Sequence, residues 1–387
     1  MLRNRLIALG ALILSLIAIS VAGGPVTYGF FFFVLIVPAI SLIYSIIVFL
    51  RFKVYQRLDV SSPVAGTSAA YYFTLRNEDR FAHSSISVGF YMDFSDISGI
   101  DADTEYELLP GTGINRETLL VCRYRGDYEV GIKTVTVTDY LRLFNITFKN
   151  REKLRVTVLP HLEILDSVAG LDEVLLAARE AQTQKDEPDV LVRDYVPGDD
   201  VRRISWKAMV KTGKPMIRKY IGENTPDICM IMEPHRYSDF PSEYLPVENR
   251  IIETLLAISY YCLKRGITAG VYTYDNRLNS YALSSTDSFE EFYSRMSSYH
   301  FGTASQGEMF TQVSGVHSAL NAAAFIFILH VWSDEARAYV KQLAGYRIPV
   351  MVYLIGDGEH EMPDTTDIKS VRFMHIGCED RLKEVLS

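Results

Sequence analysis

The most chemically concentrated stretch of the chain is DYVPGDDVRRISWKAMVKTGKPMIRKY, residues 194–220. Three carboxylates in it, Asp194, Asp199 and Asp200, could bind a divalent metal or act as a general base. Basic residues are dense in and beside the stretch, and they are Arg193, Arg202, Arg203, Lys207, Lys211, Lys214, Arg218 and Lys219. Such a group of cations could bind an anionic partner. The residue types therefore fit an active site, an anion-binding site or a docking surface.

Particular residues exclude several common active-site motifs. KTGKP resembles the end of a phosphate-binding loop, but that motif needs glycine where Ala208 stands and serine or threonine where Pro215 stands. GxGxxG after a strand, the GxSxG nucleophile elbow and HExxH are also missing. The four cysteines lie far apart without CxxC spacing, at Cys122, Cys229, Cys262 and Cys378. We expect no cofactor and no metal site.

Charge balance favours a structural or docking role for residues 194–220. Their aspartates stand among more numerous basic residues, so we expect ion pairing to neutralise them rather than a cation to bind. Asp199 or Asp200 suits the N-cap of a short helix, residues 201–211, that ends at Gly213. Two alternatives stay open: a metal-dependent hydrolase using Asp194, Asp199 and Asp200, and binding of anionic lipid or nucleic acid by residues 202–219. The net charge of −8 argues mildly against nucleic acid.

Two apolar stretches at the N-terminus, residues 6–22 and 28–50, are each long enough to cross a bilayer as a helix. Only GGPVT separates them, so residues 1–53 predict a transmembrane helical hairpin. Basic residues flank the hairpin on its outer sides, and they are Arg3, Arg5, Arg51, Lys53 and Arg57. The positive-inside tendency then places both ends, and the soluble bulk, in the cytoplasm. A cleaved signal peptide ending near Ala22 is the alternative for the first stretch.

The remaining sequence divides by its pattern. Residues 54–160 carry short segments rich in β-branched and aromatic residues, which predict an immunoglobulin-like β-sandwich. Residues 161–224 read as a connector that contains the stretch described above. In residues 225–387 buried strands alternate with amphipathic helices, which predicts a doubly wound α/β domain.

The chain resembles the membrane proteins of the domain-of-unknown-function 58 family. Their hallmark, R-x-Y-x-P-G-D-D-x-R-x-I-x-W-K followed by a T-G-K turn, is matched here in full. The matching residues are Arg193, Tyr195, Pro197, Gly198, Asp199, Asp200, Arg202, Ile204, Trp206, Lys207, Thr212, Gly213 and Lys214. The resemblance implies that the last domain is similar to von Willebrand factor type A. It also implies a MoxR-type AAA ATPase as partner, because such proteins are often encoded together.

Metal-binding von Willebrand A domains carry Asp-x-Ser-x-Ser after their first strand, where oxygen ligands surround Mg²⁺. In this chain the corresponding loop offers Glu233, His235 and Tyr237, with Pro234 and Arg236 between them. We therefore expect the adhesion site to be absent or degenerate. Asp334 and Asp357 could be remnants of it, or a helix cap and a loop residue.

Together these observations predict a non-enzymatic, multi-pass membrane protein. Its cytoplasmic domains would recruit a protein partner for the assembly or maturation of envelope or other complexes. The sequence leaves the oligomeric state open.

Overall fold

The computed structural model describes residues 1–100, 104–174, 190–194, 209–210, 212–220, 226–316, 319, 322–346, 348–357 and 371–386. It contains two compact units, Met1–His161 and Leu162–Ser387.

The first unit begins with two helices, α1 (Leu2–Ala22) and α2 (Pro25–Arg51). Gly23 ends α1 in the left-handed conformation, with φ of 43°, which glycine adopts without steric cost. Pro25 starts α2 at a position where a helix needs no backbone donor. Both helices are long and apolar enough to cross a membrane.

A sheet-rich body follows the helices in this unit. Its strands are β1 (Lys53–Leu58), β2 (Ser68–Arg76), β3 (His83–Phe90), β4 (Ser95–Ser98), β5 (Glu105–Leu108), β6 (Gly113–Cys122), β7 (Gly126–Val130), β8 (Ile132–Thr138), β9 (Asn145–Lys149) and β10 (Leu154–Val158). They form antiparallel sheets in the orders β1-β2-β6-β4 and β5-β3-β8-β9, with β7 paired to β10. Alternate residues of both larger sheets, such as Phe73 of β2 and Val88 of β3, share one hydrophobic core.

The second unit contains an antiparallel strand pair and a larger sheet. The pair is β11 (Val190–Asp194) with β12 (Met216–Tyr220). The larger sheet contains β13 (Ile228–Met232), β14 (Ala269–Tyr274), β15 (Leu278–Leu283), β16 (Ala324–Leu329), β17 (Val350–Ile355) and β18 (Val371–Ile376). Its order is β15-β14-β13-β16-β17-β18, and its neighbours are parallel except β15, which runs antiparallel to β14.

Helices cover both faces of this larger sheet. They are α3 (Pro241–Lys264), α4 (Thr286–Ser297), α5 (Gln306–Ser314), α6 (Asp334–Gly345) and α7 (Leu382–Leu386). On β13, Met230 belongs to the core under α3, α4 and α7, whereas Ile231 belongs to the core under α5 and α6. This alternation explains why the whole of β13 is apolar, since a strand buried on both faces has no solvent side.

Four elements differ from the sequence prediction. α3 begins at Pro241 rather than Val247, because proline is well tolerated in the first turn of a helix. β15, with the sequence LNSYAL, was not predicted, since it lacks β-branched residues. The connector contains β11 and β12, which the sequence pattern had not indicated.

Candidate functional site

The candidate site lies at the carboxyl ends of the parallel strands, where α/β sheets commonly bind ligands. Glu233 follows β13 directly, His330 follows β16, and Asp357 comes shortly after β17. Because β13, β16 and β17 are adjacent and parallel, these chain positions meet at one edge of the sheet.

Glu233 is the centre of this edge. Its side chain is buried, with the residue only 2% exposed. Gln306 Nε2 donates a hydrogen bond of 2.6 Å to Oε2, and the backbone N–H of His330 donates to the same oxygen at 3.3 Å. The backbone N–H of His235 approaches Oε1 at 3.4 Å. Protein donors therefore occupy both carboxylate oxygens.

Gln306 is itself fixed in place from two directions. Its Nε2 also donates to the carbonyl oxygen of Val331 at 2.9 Å, and Ser333 Oγ donates to its Oε1 at 2.5 Å. Ser333 is the N-cap of α6, where its Oγ accepts from the backbone N–H of Ala336. The Glu233–Gln306–Ser333 network thus links β13, α5 and α6 through satisfied polar groups.

Burial changes the acid chemistry of this network. It raises the pKa of Glu233 from 4.5 to about 7, although the hydrogen bonds from Gln306 and from backbone amides oppose the rise. Desolvation prevails because a buried carboxylate loses the hydration that stabilises its charge. Near neutral pH the carboxyl group is therefore divided between its protonated and ionised forms.

The loop after Glu233 is held by its own contacts. Arg236 forms a two-point ion pair with Glu248 of α3, with N–O distances of 2.6 and 3.1 Å. The guanidinium also lies 3.9 Å from the centre of the Tyr244 ring, a cation–π contact. The Tyr237 ring packs against the His330 ring at 4.1 Å between centroids. The loop is consequently a packed structure rather than an open cation cage.

Apolar side chains lie next to the network along the chain, after Glu233 and between His330 and Ser333. Phe240 is 66% exposed, and Tyr237 and Val331 are also exposed. Trp332 is half-buried, with its ring 4.9 Å from that of Phe373. We call Tyr237, Phe240, Val331 and Trp332 the apolar rim.

The two residues that could be remnants of an adhesion site lie in a loop and in the first turn of a helix. Asp357 Oδ1 accepts a 2.6 Å hydrogen bond from the backbone N–H of Cys378, as a loop residue does. Asp334 lies in the first turn of α6, behind the cap that Ser333 provides. Across the part of the chain that is described, there is no cluster of three or more His, Cys, Asp or Glu suited to a metal ion.

The family motif is described only at its ends. Arg193 and Asp194 lie in β11, opposite Ile217 and Met216 of β12. Gly213 has φ of 70°, and its N–H donates to the carbonyl oxygen of Met209, as at the end of a helix. Lys214 is exposed. The other motif residues lie outside the described residues: Tyr195, Pro197, Gly198, Asp199, Asp200, Arg202, Ile204, Trp206 and Lys207.

Two members of the site, Gln306 and Ser333, were missed by sequence reasoning. Gln306 is 73 residues from Glu233, and nothing in its neighbourhood, SQGEM, indicates a buried amide. Ser305, which caps α5, was a visible signal for the start of that helix. The pairing itself depends on where α5 packs.

Solved structures similar to the chain give no functional guide. Salmonella alpha-2-macroglobulin reacted with methylamine is 12% identical over 39% of this chain, with a TM-score of 0.22. Spo0M, a sporulation control protein from Bacillus subtilis, is 13% identical over 45% of this chain and 76% of its own, with a TM-score of 0.18. The chain spans only 9% of the macroglobulin. Similarities this weak support no inference about fold or function.

Sequence comparison is more specific. No curated protein matches the chain. A family model described as protein of unknown function DUF58 does match, over residues 191–304. That range contains the motif, β13 and the loop of Glu233. Residues 191–304 of the chain therefore match the DUF58 family.

Proposed function

We propose that the chain is a non-enzymatic, membrane-anchored protein-interaction module. In this proposal α1 and α2 hold it in the membrane, and its remaining domains lie in the cytoplasm. A protein partner binds the apolar rim without a bridging metal ion.

The second unit is proposed to be similar to von Willebrand factor type A. Support comes from the mostly parallel sheet with helices on both faces and from the single antiparallel edge strand among those described. The first unit is proposed to be an immunoglobulin-like spacer. Its two larger antiparallel sheets with one shared core support that assignment.

The observation that carries the proposal is that protein donors bind both carboxylate oxygens of Glu233. In a metal-binding domain a carboxylate at this place would point its oxygens at a cation. Here Gln306 and backbone amides bind those oxygens, and burial favours the protonated form, which is a poor ligand. Recognition at this edge is accordingly assigned to the side chains around Glu233.

The apolar rim has the composition of a protein-binding surface. Aromatic residues contribute large contact areas and are enriched among the residues that dominate binding energy. Phe240 and Tyr237 are exposed on a loop that Arg236 and Glu248 hold in place, so little ordering entropy would be lost on binding. A MoxR-type AAA ATPase is the partner that the family resemblance suggests.

The proposed orientation follows from the charges beside the helices. Arg3 and Arg5 lie at the start of α1, and Arg51 and Lys53 lie at the end of α2. With both basic ends on the cytoplasmic side, the chain after α2 also lies there. A C-terminal reporter fusion, active only in the cytoplasm, tests this orientation, and an inactive fusion in an inserted protein would refute it.

A direct binding measurement tests the interaction. The full chain in mild detergent is titrated with the MoxR-type AAA ATPase of the same source, with and without EDTA. We expect binding that survives EDTA and is weakened about tenfold or more, about 1.4 kcal/mol, by Phe240→Ala combined with Val331→Ala.

Tyr346→Ala is the matched control. Tyr346 is also an exposed aromatic residue, but it caps the far end of α6, away from the carboxyl edge of the sheet. It should leave the affinity unchanged. Loss of binding in EDTA, or equal losses in the rim and control variants, would refute a metal-free contact at the rim.

A further inference from the structure

The turn between β8 and β9 in the first unit lies against the two N-terminal helices. It comprises Asp139, Tyr140, Leu141, Arg142, Leu143 and Phe144, and we call it the β8–β9 turn. Four of its six side chains are apolar or aromatic, although a turn between two strands usually carries polar residues.

Side chains from both helices bind this turn. Asn4 Nδ2 donates to the carbonyl oxygen of Leu141 at 2.8 Å, and Arg5 Nε donates to that of Leu143 at 2.8 Å. From α2, Ser41 Oγ donates to Asp139 Oδ2. The turn is therefore fixed to the start of α1 and to the second half of α2.

Asp139 also fixes the shape of the turn from within. It is 1% exposed, and it accepts from the backbone N–H groups of Leu141 at 3.1 Å and Phe144 at 2.7 Å. Arg142 takes a left-handed conformation, with φ of 53°, and its guanidinium pairs with Glu105 at 2.8 Å. Of the two charged residues of the turn, Arg142 is thus paired with Glu105 of β5 and Asp139 is buried among hydrogen-bond donors. The apolar members of the turn remain available.

The apolar surface of the turn is continuous with that of the helices. Tyr140 is 57% exposed and Leu141 is 42% exposed. On the other side, Leu143 and Phe144 join α1 and α2 in lining an apolar groove of about 570 Å³. The helix residues in that groove include Leu9, Leu12, Leu35 and Pro38.

Helix length places the turn at a definite depth. From Leu6 to Ala22, α1 provides about 25 Å at 1.5 Å per residue, somewhat less than the hydrocarbon core of about 30 Å. Arg5, which binds the turn, stands directly before that apolar stretch. If α1 crosses the bilayer, the β8–β9 turn must lie where the hydrocarbon ends.

The aromatic residues beside the turn fit that depth. The hydroxyls of Tyr44 and Tyr140 both donate to the carbonyl oxygen of Ala82, at 2.9 and 3.0 Å, and their rings are 5.3 Å apart. Tyrosine is enriched at the boundary between membrane and water because its ring is apolar and its hydroxyl is polar.

We infer that the β8–β9 turn is a membrane-contacting element, inserted among the phospholipids of the bilayer next to α1 and α2. Tyr140 and Leu141 contact the outer part of the acyl chains, and Arg5 lies at the level of the phosphates. The last turns of α2, from Ser41 to Arg51, then lie outside the hydrocarbon. This inference rests on the proposed membrane anchoring.

Depth-dependent fluorescence quenching tests the inference. Leu141→Trp is introduced into the full chain, which is reconstituted in vesicles of phosphatidylglycerol and phosphatidylethanolamine. Phosphatidylcholine brominated near the carbonyl end or near the methyl end of its acyl chains is then added. After the signal of the parent protein is subtracted, we expect loss of most of the added fluorescence, with the shallow bromines more effective than the deep ones.

Val60→Trp is the matched control. Val60 is an exposed apolar residue, and β1 separates it from the end of α2. A tryptophan at this position should therefore show no quenching. A flotation assay distinguishes the membrane anchoring from the inserted turn. The parent protein should float with the vesicles, and it should still do so after carbonate extraction. A protein that fails to float refutes the membrane anchoring. If the protein floats but Leu141→Trp is quenched no more than Val60→Trp, the inserted turn is refuted and the membrane anchoring is not.

Discussion

Replacing Glu233 by glutamine tests the description of the candidate site most directly. Glutamine keeps the size of the side chain and one carbonyl oxygen for Gln306 and the His330 amide, but it cannot ionise. The substitution therefore removes the titration at little cost in packing.

The expected magnitude follows from the raised pKa of Glu233. In the unfolded chain the carboxyl group titrates near its ordinary value of 4.5, whereas in the folded protein the pKa is about 7. Between those values the folded state binds more protons, so stability falls as the pH rises through this window. The pKa difference corresponds to about 3 kcal/mol of unfolding free energy, which the parent protein has lost once the pH is above about 7. Glu233→Gln has no such pH-dependent contribution.

Urea unfolding at a series of pH values provides the assay. The full chain in detergent is followed by tryptophan fluorescence, to which Trp206 and Trp332 both contribute. Trp332 lies in the loop beside His330 and packs on Phe373. We expect the free energy of unfolding of the variant, relative to that of the parent protein, to rise by about 3 kcal/mol between about pH 4.5 and about pH 8.

A neighbouring acid supplies the control. Glu335 is exposed in the first turn of α6, and a hydrogen bond from its own backbone N–H is the main cause that lowers its pKa. Glu335→Gln should therefore leave the decline of stability between about pH 5 and about pH 8 in place. Parallel pH profiles for the parent protein and Glu233→Gln would show that Glu233 titrates normally, and the buried network as described would be wrong.

Two further substitutions test other parts of the structure. Asp139→Ala leaves two backbone amides of the β8–β9 turn and Ser41 without their acceptor, so we expect a loss of about 2–4 kcal/mol in thermal unfolding of the full chain in detergent; an unchanged midpoint would contradict the buried contact. Phe310→Ala removes a ring stacked on Tyr339 at 4.9 Å between α5 and α6, with an expected loss of about 3–5 kcal/mol in urea unfolding. Thr311→Ala, on the exposed face of the same helix, should cost far less.

Local sequence patterns predicted much of the fold. Uncharged apolar stretches indicated α1 and α2, because a helix that faces lipid needs apolar residues all round. The uniformly apolar strands β13, β16 and β17 indicated a sheet covered on both faces. By contrast, LNSYAL became β15 because it pairs with β14 and not through any pattern of its own.

What the sequence alone determined was the match of residues 191–304 to the DUF58 family, through a motif whose residue types and spacing can be read directly, and the position of Glu233 at the end of a buried strand. Only the tertiary structure decided what Glu233 contacts, since packing of α5 brings Gln306 to it from far along the chain. The same holds for Asp139, which looks like an ordinary turn residue until α2 places Ser41 against it. Burial and polar pairing are properties of packed elements, and short-range patterns specify the elements but not their contacts.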